Sequence, residues 1–465
     1  MAGGAFMQRL DSTIIGTSLP QIAESLHIPV PQVSLAITSY LLSGAVFIPI
    51  SGWLVDRYGI RPVYAASIII FTIGSLLCGL ADSLVVMVAM RILQGMGGAL
   101  LVPVSRLVIM RAFPKSEYIR AINYMMVPAT VGPMLGPVVG GLITTYWSWH
   151  WIFFINVPIG ILALWALKLI EEVPMPSPPP FDFRGFGIIG MGFALSQLAV
   201  ENVGRNVIAV QWQIVLFAAA AIALLAYGYH ARRTPNPVID LTLFEVRTFR
   251  IAVLAGSISR LGISAAPFLL PLLFQIGFGL DPLHSGLLTF VATAASFFTR
   301  VGVPQLLRLI GIRATLMLNS FVLGFMLAGM AIFHANTPAY VIVVYLFIFG
   351  LLRSVHFSAL GALVYADLPI ERGGGATSIS EVSQRLSQSA GIGLAATLLA
   401  VVGNGHIASS DFAMVFGGVG LTEILSAWGF RKLKRSDGYQ LTGRTRRGRP
   451  APAESMKQGT EAGAE

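Results

Sequence analysis

From Val33 to Val55, and again from Val63 to Ala81, the chain carries no charged residue. Each stretch is about 20 residues, enough to cross a hydrocarbon layer of ~30 Å at ~1.5 Å per residue. Between them lies a short charged turn, SGWLVDRYGIRPVY (51–64), so the two runs must return antiparallel. Such runs recur along the chain, near 2–20, 34–55, 63–81, 84–110, 120–144, 150–170, 185–202, 210–230, 250–276, 284–306, 314–333, 338–365, 376–402 and 411–430. An unpaired backbone cannot sit in lipid, so each run is expected to be a whole helix. The expected class is an all-α polytopic membrane protein. Composition agrees: 55% of the 465 residues are hydrophobic and 11% charged, where a soluble domain has roughly 25% charged residues. Mean hydropathy is +0.76.

The net charge of +10 is scattered over short loops, which argues against a nucleic-acid face. Arg57 and Arg61, then Arg111, Lys115 and Arg120, Arg184, Arg232, Arg233, Arg247, Arg250, Arg308, Arg313 and Arg372 fall in alternate loops; the other loops offer only Arg205. By the positive-inside rule both termini are expected in the cytoplasm. Cys78, inside an apolar run, is the only cysteine, so no disulfide or zinc framework is expected. Arg9 and Asp11 interrupt any cleavable signal in the first run. No P-loop, H-E-x-x-H or serine elbow occurs, so neither enzyme activity nor a cofactor is expected, and the energy for any pumping must come from an ion gradient.

QLLRLIGIRATL (305–316) echoes WLVDRYGIRPVY (53–64), Gly311-Ile312-Arg313 falling on Gly59-Ile60-Arg61. Gly350 follows its apolar run as Gly95 follows an earlier one. Two related six-helix bundles are expected at 1–170 and 247–432. The segment 171–246 holds two extra helices between the Pro-rich linkers 171–184 and 230–247, and 433–465 forms a polar, disordered cytoplasmic tail.

Four segments carry chemistry. LDSTIIGTSLP (10–20) places Asp11 in a membrane helix, where an acid is expensive and therefore a candidate proton carrier; a fixed ion pair with Arg9 or Arg106 is the bland alternative. RILQGMGGA (91–99) puts Arg91 in the fourth run, where a charge must face a partner or a wet cavity; clamping helix ends is the bland alternative. In GPMLGPVVGG (132–141), Gly132, Gly136 and Gly140 share one helix face suited to close packing, and Pro133 and Pro137 make the helix bendable. WSWHWIFFINVPIG (147–160) reads as an interfacial aromatic belt. Arg106, Arg260, Arg353, His356, Glu381 and Arg385 are further intramembrane polar groups and candidates to line a cavity; Glu423 is another intramembrane charge. Arginines outnumber acids among them, which suits an anionic cargo.

The turn at 51–64 resembles the loop motif G-x-L-x-D-R-x-G-R-[RK] of the major facilitator superfamily through Gly52, Leu54, Asp56, Arg57, Gly59 and Arg61, with Ile60 at the family's first basic position. The Arg91 segment, the doubled Gly-Pro with Gly141, the Asp11 segment (Gly16 standing for the usual Asn) and the aromatic belt resemble the superfamily's fourteen-helix drug:H+ antiporters. The resemblance implies about 14 transmembrane helices as two six-helix bundles plus two central ones, in a bacterial inner membrane. It also implies export of small molecules in exchange for protons by a monomeric carrier. Asp11 and Arg91 would couple protons, Gly52, Asp56, Arg57, Gly59 and Arg61 would gate the cytoplasmic side, and Gly132 to Gly141 would form the antiporter motif. The alternatives are export of an anionic metabolite or metal-carboxylate chelate, a carrier without proton coupling in which Asp11 is a fixed counter-ion, and, remotely, a sensor or scaffold.

Overall fold

The computed structural model describes residues 2–112, 115–169, 180–203, 209–299, 302–369, 372–403, 407–434 and 437–438. All regular structure among them is helical. The first half comprises α1 (Ala2–Ile14), α2 (Leu19–Ser25), α3 (Val30–Phe47), α4 (Ser51–Tyr58), α5 (Ile60–Gly79), α6 (Leu84–Ala112), α7 (Lys115–Tyr146), α8 (Trp151–Phe154) and α9 (Asn156–Ala166). A hairpin of α10 (Phe183–Asn202) and α11 (Val210–Ala231) follows. The second half holds α12 (Arg247–Leu272), α13 (Pro282–Phe298), α14 (Val303–Ile310), α15 (Ile312–Gly329), α16 (Ala339–Tyr365), α17 (Gly373–Gly403) and α18 (Ser409–Phe430).

Eleven of these rods, some made of two abutting helices, are long and apolar enough to span a bilayer; Trp151–Ala166 and Pro282–Phe298 are shorter apolar rods. The first run is broken: α1 passes through a 3-10 turn at Ile15–Ser18 into α2. With these three the rods follow the fourteen runs of the sequence in order, although only eleven meet the length and hydropathy of a span.

The two halves repeat one plan. α5 packs on α6 and α3 on α6 in the first; α15 packs on α16 and α13 on α16 in the second. Gly95 seats α6 against the Tyr40 carbonyl of α3, and Gly350 seats α16 against the Ala292 carbonyl of α13. The charged turn recurs as geometry: Gly59 (φ 87°, ψ 163°) and Gly311 (φ 83°, ψ 154°) each end an eight-residue helix. That backbone region is essentially closed to residues with a Cβ. Across the seam the contacts are reciprocal, α3 on α17 and α13 on α7, the pattern of two halves related by an axis along the membrane normal.

The α10–α11 hairpin stands against α3 and α17. Only 17% of the most apolar window of α11 is buried, so its Ile, Leu and Val side chains face lipid. Asp182 caps α10, accepting from the Gly185 amide at 2.8 Å. Of the Pro-rich stretch 171–184, residues 171–179 lie outside the described part. The stretch 230–247, expected as a linker, is packed against its neighbours. Tyr227 Oη donates to the Ile239 carbonyl (3.0 Å) and accepts from its amide (2.7 Å), Leu243 is buried, and Arg372 donates to Asp240 at 2.8 Å. The reason is local: Asp240 caps a 3-10 turn at Leu241–Glu245, which turns Leu243 into the core. The stretch 439–465, like Arg205, lies outside the described residues; just before it, Asp437 is held by Arg247 at 2.5 Å.

Candidate functional site: a chamber between the two halves

Three adjoining cavities of about 280, 250 and 390 Å³ form one chamber, since Arg9 lines all three. Its walls come from α1, α3, α6 and α7 on one side and α12, α13, α16 and α17 on the other. Among the described residues five arginines line it, Arg9, Arg106, Arg260, Arg353 and Arg385, and one acid, Glu381. Arg106 of α6 donates to Glu381 of α17 at 2.8 Å, a bridge from one half to the other. Arg260 Nε and Arg385 Nη1 are buried without a hydrogen-bond partner among the described residues. Five positive groups against one negative leave the chamber with an excess of four positive charges.

One end is shut. Gln21 Nε2 donates to Gln275 Oε1 (3.0 Å), Gln275 Nε2 to the Thr17 carbonyl (2.9 Å), and the Leu283 amide to Thr145 Oγ1 (3.1 Å), all across the seam. Below them the backbones touch: Gly286 lies on the Pro137 carbonyl, and Gly141 on the Pro282 carbonyl. At the other end, where the Gly59 and Gly311 turns lie, the chamber reaches Tyr365 and Thr377, and Tyr365 is 44% exposed.

Asp11 and Arg91 come together, but behind the wall. Arg91 Nη1 donates to Asp11 Oδ2 at 2.7 Å, while Gln94 Nε2 and Asn156 Nδ2 donate to Oδ1 at 2.8 and 2.9 Å. Arg91 Nε donates to the Ala36 carbonyl at 3.0 Å, and its guanidinium stacks 4.6 Å from the centre of the Tyr40 ring. Both charges are wholly buried, and Tyr40, whose ring covers Arg91, lines the chamber itself. Neither Arg9 nor Arg106 is the partner of Asp11. Residues two apart on a helix point about 200° from each other, so Arg9 faces the chamber where Asp11 faces the bundle. Arg9, Gln94 and Asn156 were missed as site residues, although two of them sit in segments already singled out: Gln94 in RILQG and Asn156 in the FFINVP run.

The glycines of α7 climb α1: a side chain at Gly132 would meet the Phe6 carbonyl at 3.0 Å, one at Gly136 the Thr13 side chain, and one at Gly140 the Ile14 carbonyl. Pro133 and Pro137 turn the other way, into the chamber. In the turn, Arg57 is exposed, Asp56 and Arg61 are half-buried, and Gly52 faces open space. Trp53 packs its ring on Phe181 (5.3 Å) and Phe183 (5.7 Å), tying the turn to the α10–α11 hairpin. His356 is not a chamber residue. Arg353, Phe357 and Gly361 line the wall one turn apart, and His356, about 100° around the helix from Phe357, is buried and bonded to Ser259 Oγ at 2.8 Å. Among the described residues no group of three His, Cys, Asp or Glu could hold a metal ion.

Residues 1–392 match the model of the Major Facilitator Superfamily. A relative from Pectobacterium atrosepticum, named "Putative multidrug resistance protein MdtD", is 36% identical over 416 residues, 89% of each chain. One of the same name from Klebsiella pneumoniae is 37% identical over 413 residues, 88% of this chain and 86% of that one. Among solved structures, a D-xylose-proton symporter superposes with a TM-score of 0.68 at 15% identity, over 94% of this chain and 97% of that one. A nucleoside transporter, NupG, gives 0.66 at 13%, over 92% and 98%. The helical plan, the chamber at the seam and these relatives lead to one conclusion: the chain is a multi-pass membrane transporter of small molecules and belongs to the major facilitator superfamily.

Proposed function

We propose that the chain exports small molecules in exchange for protons by rocking its two halves, 1–170 and 247–432, about the chamber, with 171–246 as an added hairpin. Alternate basic loops support a turn end that faces the cytoplasm of a bacterial inner membrane; on this reading the state described here is open inward. That is the state in which an exporter would take up cargo. The relatives' name supports export, and the doubled Gly-Pro of α7 supports exchange. The observation that carries the reading is the Asp11–Arg91 pair held one side chain, Tyr40, away from the chamber. Movement of that ring would wet the carboxylate, and protonation would release Arg91. Cargo of net negative charge fits the excess of arginines, which makes an anionic metabolite or carboxylate chelate the favoured class over a lipophilic cation.

A second reading has its own support. The pair is dry in this state, as a fixed counter-ion would be, and a carrier without proton coupling needs nothing more. Adding candidate carboxylates to the purified protein in weakly buffered medium separates the two. Exchange gives proton release that Asp11→Asn abolishes; binding without release in the wild type sinks the proton-coupled reading.

A further inference from the structure

A second buried acid lies in the other half, and nothing in the reading above uses it. Glu423 of α18 is 0% exposed, and among the described residues neither carboxyl oxygen has a partner at normal hydrogen-bond geometry. Its neighbours are the hydroxyls of Ser259 and Ser320, and both are engaged elsewhere. Ser259 Oγ is 2.8 Å from His356 Nε2, and Ser320 Oγ accepts from Ser426 at 3.0 Å. The ionisable groups nearby are few. α12 contributes Arg260, whose side chain lines the chamber, and α16 contributes His356, whose ring packs 5.8 Å from Phe430 of α18. α15 presents Asn319 and Ser320, and the ionisable residues of α17, Glu381 and Arg385, face the chamber. No cation is paired with Glu423 among the described residues.

An ionised carboxylate in such a place costs several kcal/mol, so this state holds the neutral acid. A short polar file joins it to the chamber: Glu423, Ser259, His356 and then Arg260 on the wall. His356 Nδ1 is buried without a hydrogen-bond partner among the described residues, and Arg260 is near enough for its charge to act on the ring. The packing here is tight as well. A side chain at Gly262 of α12 would meet the Val419 carbonyl at 2.7 Å and Glu423 Cβ at 3.3 Å, and Gly324 of α15 lies on the Gly420 carbonyl. A charge appearing at Glu423 would therefore be felt at once by α12, which walls the chamber.

We propose that Glu423 is a second proton-binding site, in the second half, exchanging its proton with the chamber through Ser259 and His356. The carboxyl O–H breaks as its proton passes to Ser259 Oγ. The Ser259 hydroxyl proton moves to His356 Nε2, and the proton on Nδ1 leaves to chamber water, so one proton lost by the acid is one gained by solvent. Two movements complete the path: Ser259 turns toward the carboxyl, and chamber water reaches the buried Nδ1 of His356 beside Arg260.

Infrared difference spectra of the purified full chain, taken without cargo across about pH 5 to 9, test this apart from any exchange with cargo. The expected result is a protonated-carboxyl band that fades as pH rises, survives Asp11→Asn and is lost in Glu423→Gln. In Ser259→Ala the band should remain, with its deuterium exchange slowed several-fold. If Glu423→Gln does not fold, Glu423→Asp should shift the same band. A spectrum without such a band, a band indifferent to pH, or a band unmoved by either Glu423 variant overturns the proposal. Failure of proton release on cargo addition would instead tell against coupling at Asp11 and leave this site standing.

Discussion

Individual residues divide by what their removal leaves behind. Taking away one partner of the Asp11–Arg91 pair strands a charge in the bundle, so Arg91→Met should cost about 3–5 kcal/mol of stability. Arg91→Met with Asp11→Leu should recover most of that loss while transport stays absent; thermal unfolding in detergent measures both. At the repeated turns, Gly59→Ala and Gly311→Ala should each cost about 1–3 kcal/mol, because the backbone there excludes a Cβ. Gly52→Ala, in open space on a helix, should stabilise by about 0.5–1 kcal/mol, and a result in which all three behave alike would refute the distinction. The sequence made the charges conspicuous, since a charge inside an apolar run is rare. It did not say which way each one points. Arg353 and His356 looked equivalent because a helix fixes their angle to each other and leaves open which neighbour sits beyond; the neighbour put one on the wall and the other inside.

Among elements, the apolar runs could be read almost directly, because lipid admits little but whole helices. What stayed hidden were features set by packing. The break at Ile15–Ser18 and the docking of 230–247 through Tyr227 and Leu243 depend on surfaces brought from distant parts of the chain. Two expectations belong at this scale. With Cys78→Ser, the pair Thr145→Cys and Leu283→Cys should cross-link α7 to α13, abolish transport, and release it again on reduction; transport surviving complete cross-linking would show that this end need not open. Asp240, at the start of the Leu241–Glu245 turn, feels partial burial pushing its carboxyl up, but hydrogen bonds from Thr242 and Arg372 hold it below the usual range. A carboxyl held low adds stability above its unfolded value and loses it as pH falls through the folded one. The melting-temperature advantage of wild type over Asp240→Asn should accordingly shrink below about pH 4. A difference constant from neutral to acid pH would remove Asp240 from that role.

At the scale of the whole molecule, the duplication surfaced in the sequence as little more than Gly-Ile-Arg twice, because a bundle constrains helix positions far more than the side chains that fill them. The chamber showed in the sequence only through its charges, Arg106, Arg260, Arg353, Glu381 and Arg385; the uncharged lining, spread over eight helices, carried no linear signature. Its charge gives an expectation for the intact carrier. Arg353→Gln and Arg385→Gln should each weaken binding of an anionic cargo by about tenfold at low salt, with less effect at high salt; vesicle uptake with a carboxylate and a cationic dye side by side would show it, and equal loss for both would point to damage in place of charge selection. The shut end leads further. Gly286 on the Pro137 carbonyl and Gly141 on the Pro282 carbonyl are backbone contacts that leave no room for a side chain. A latch made that way has no slack: it holds only while the two rods run flush, and a tilt of either parts it. What unfastens it therefore reaches it as leverage along the rods.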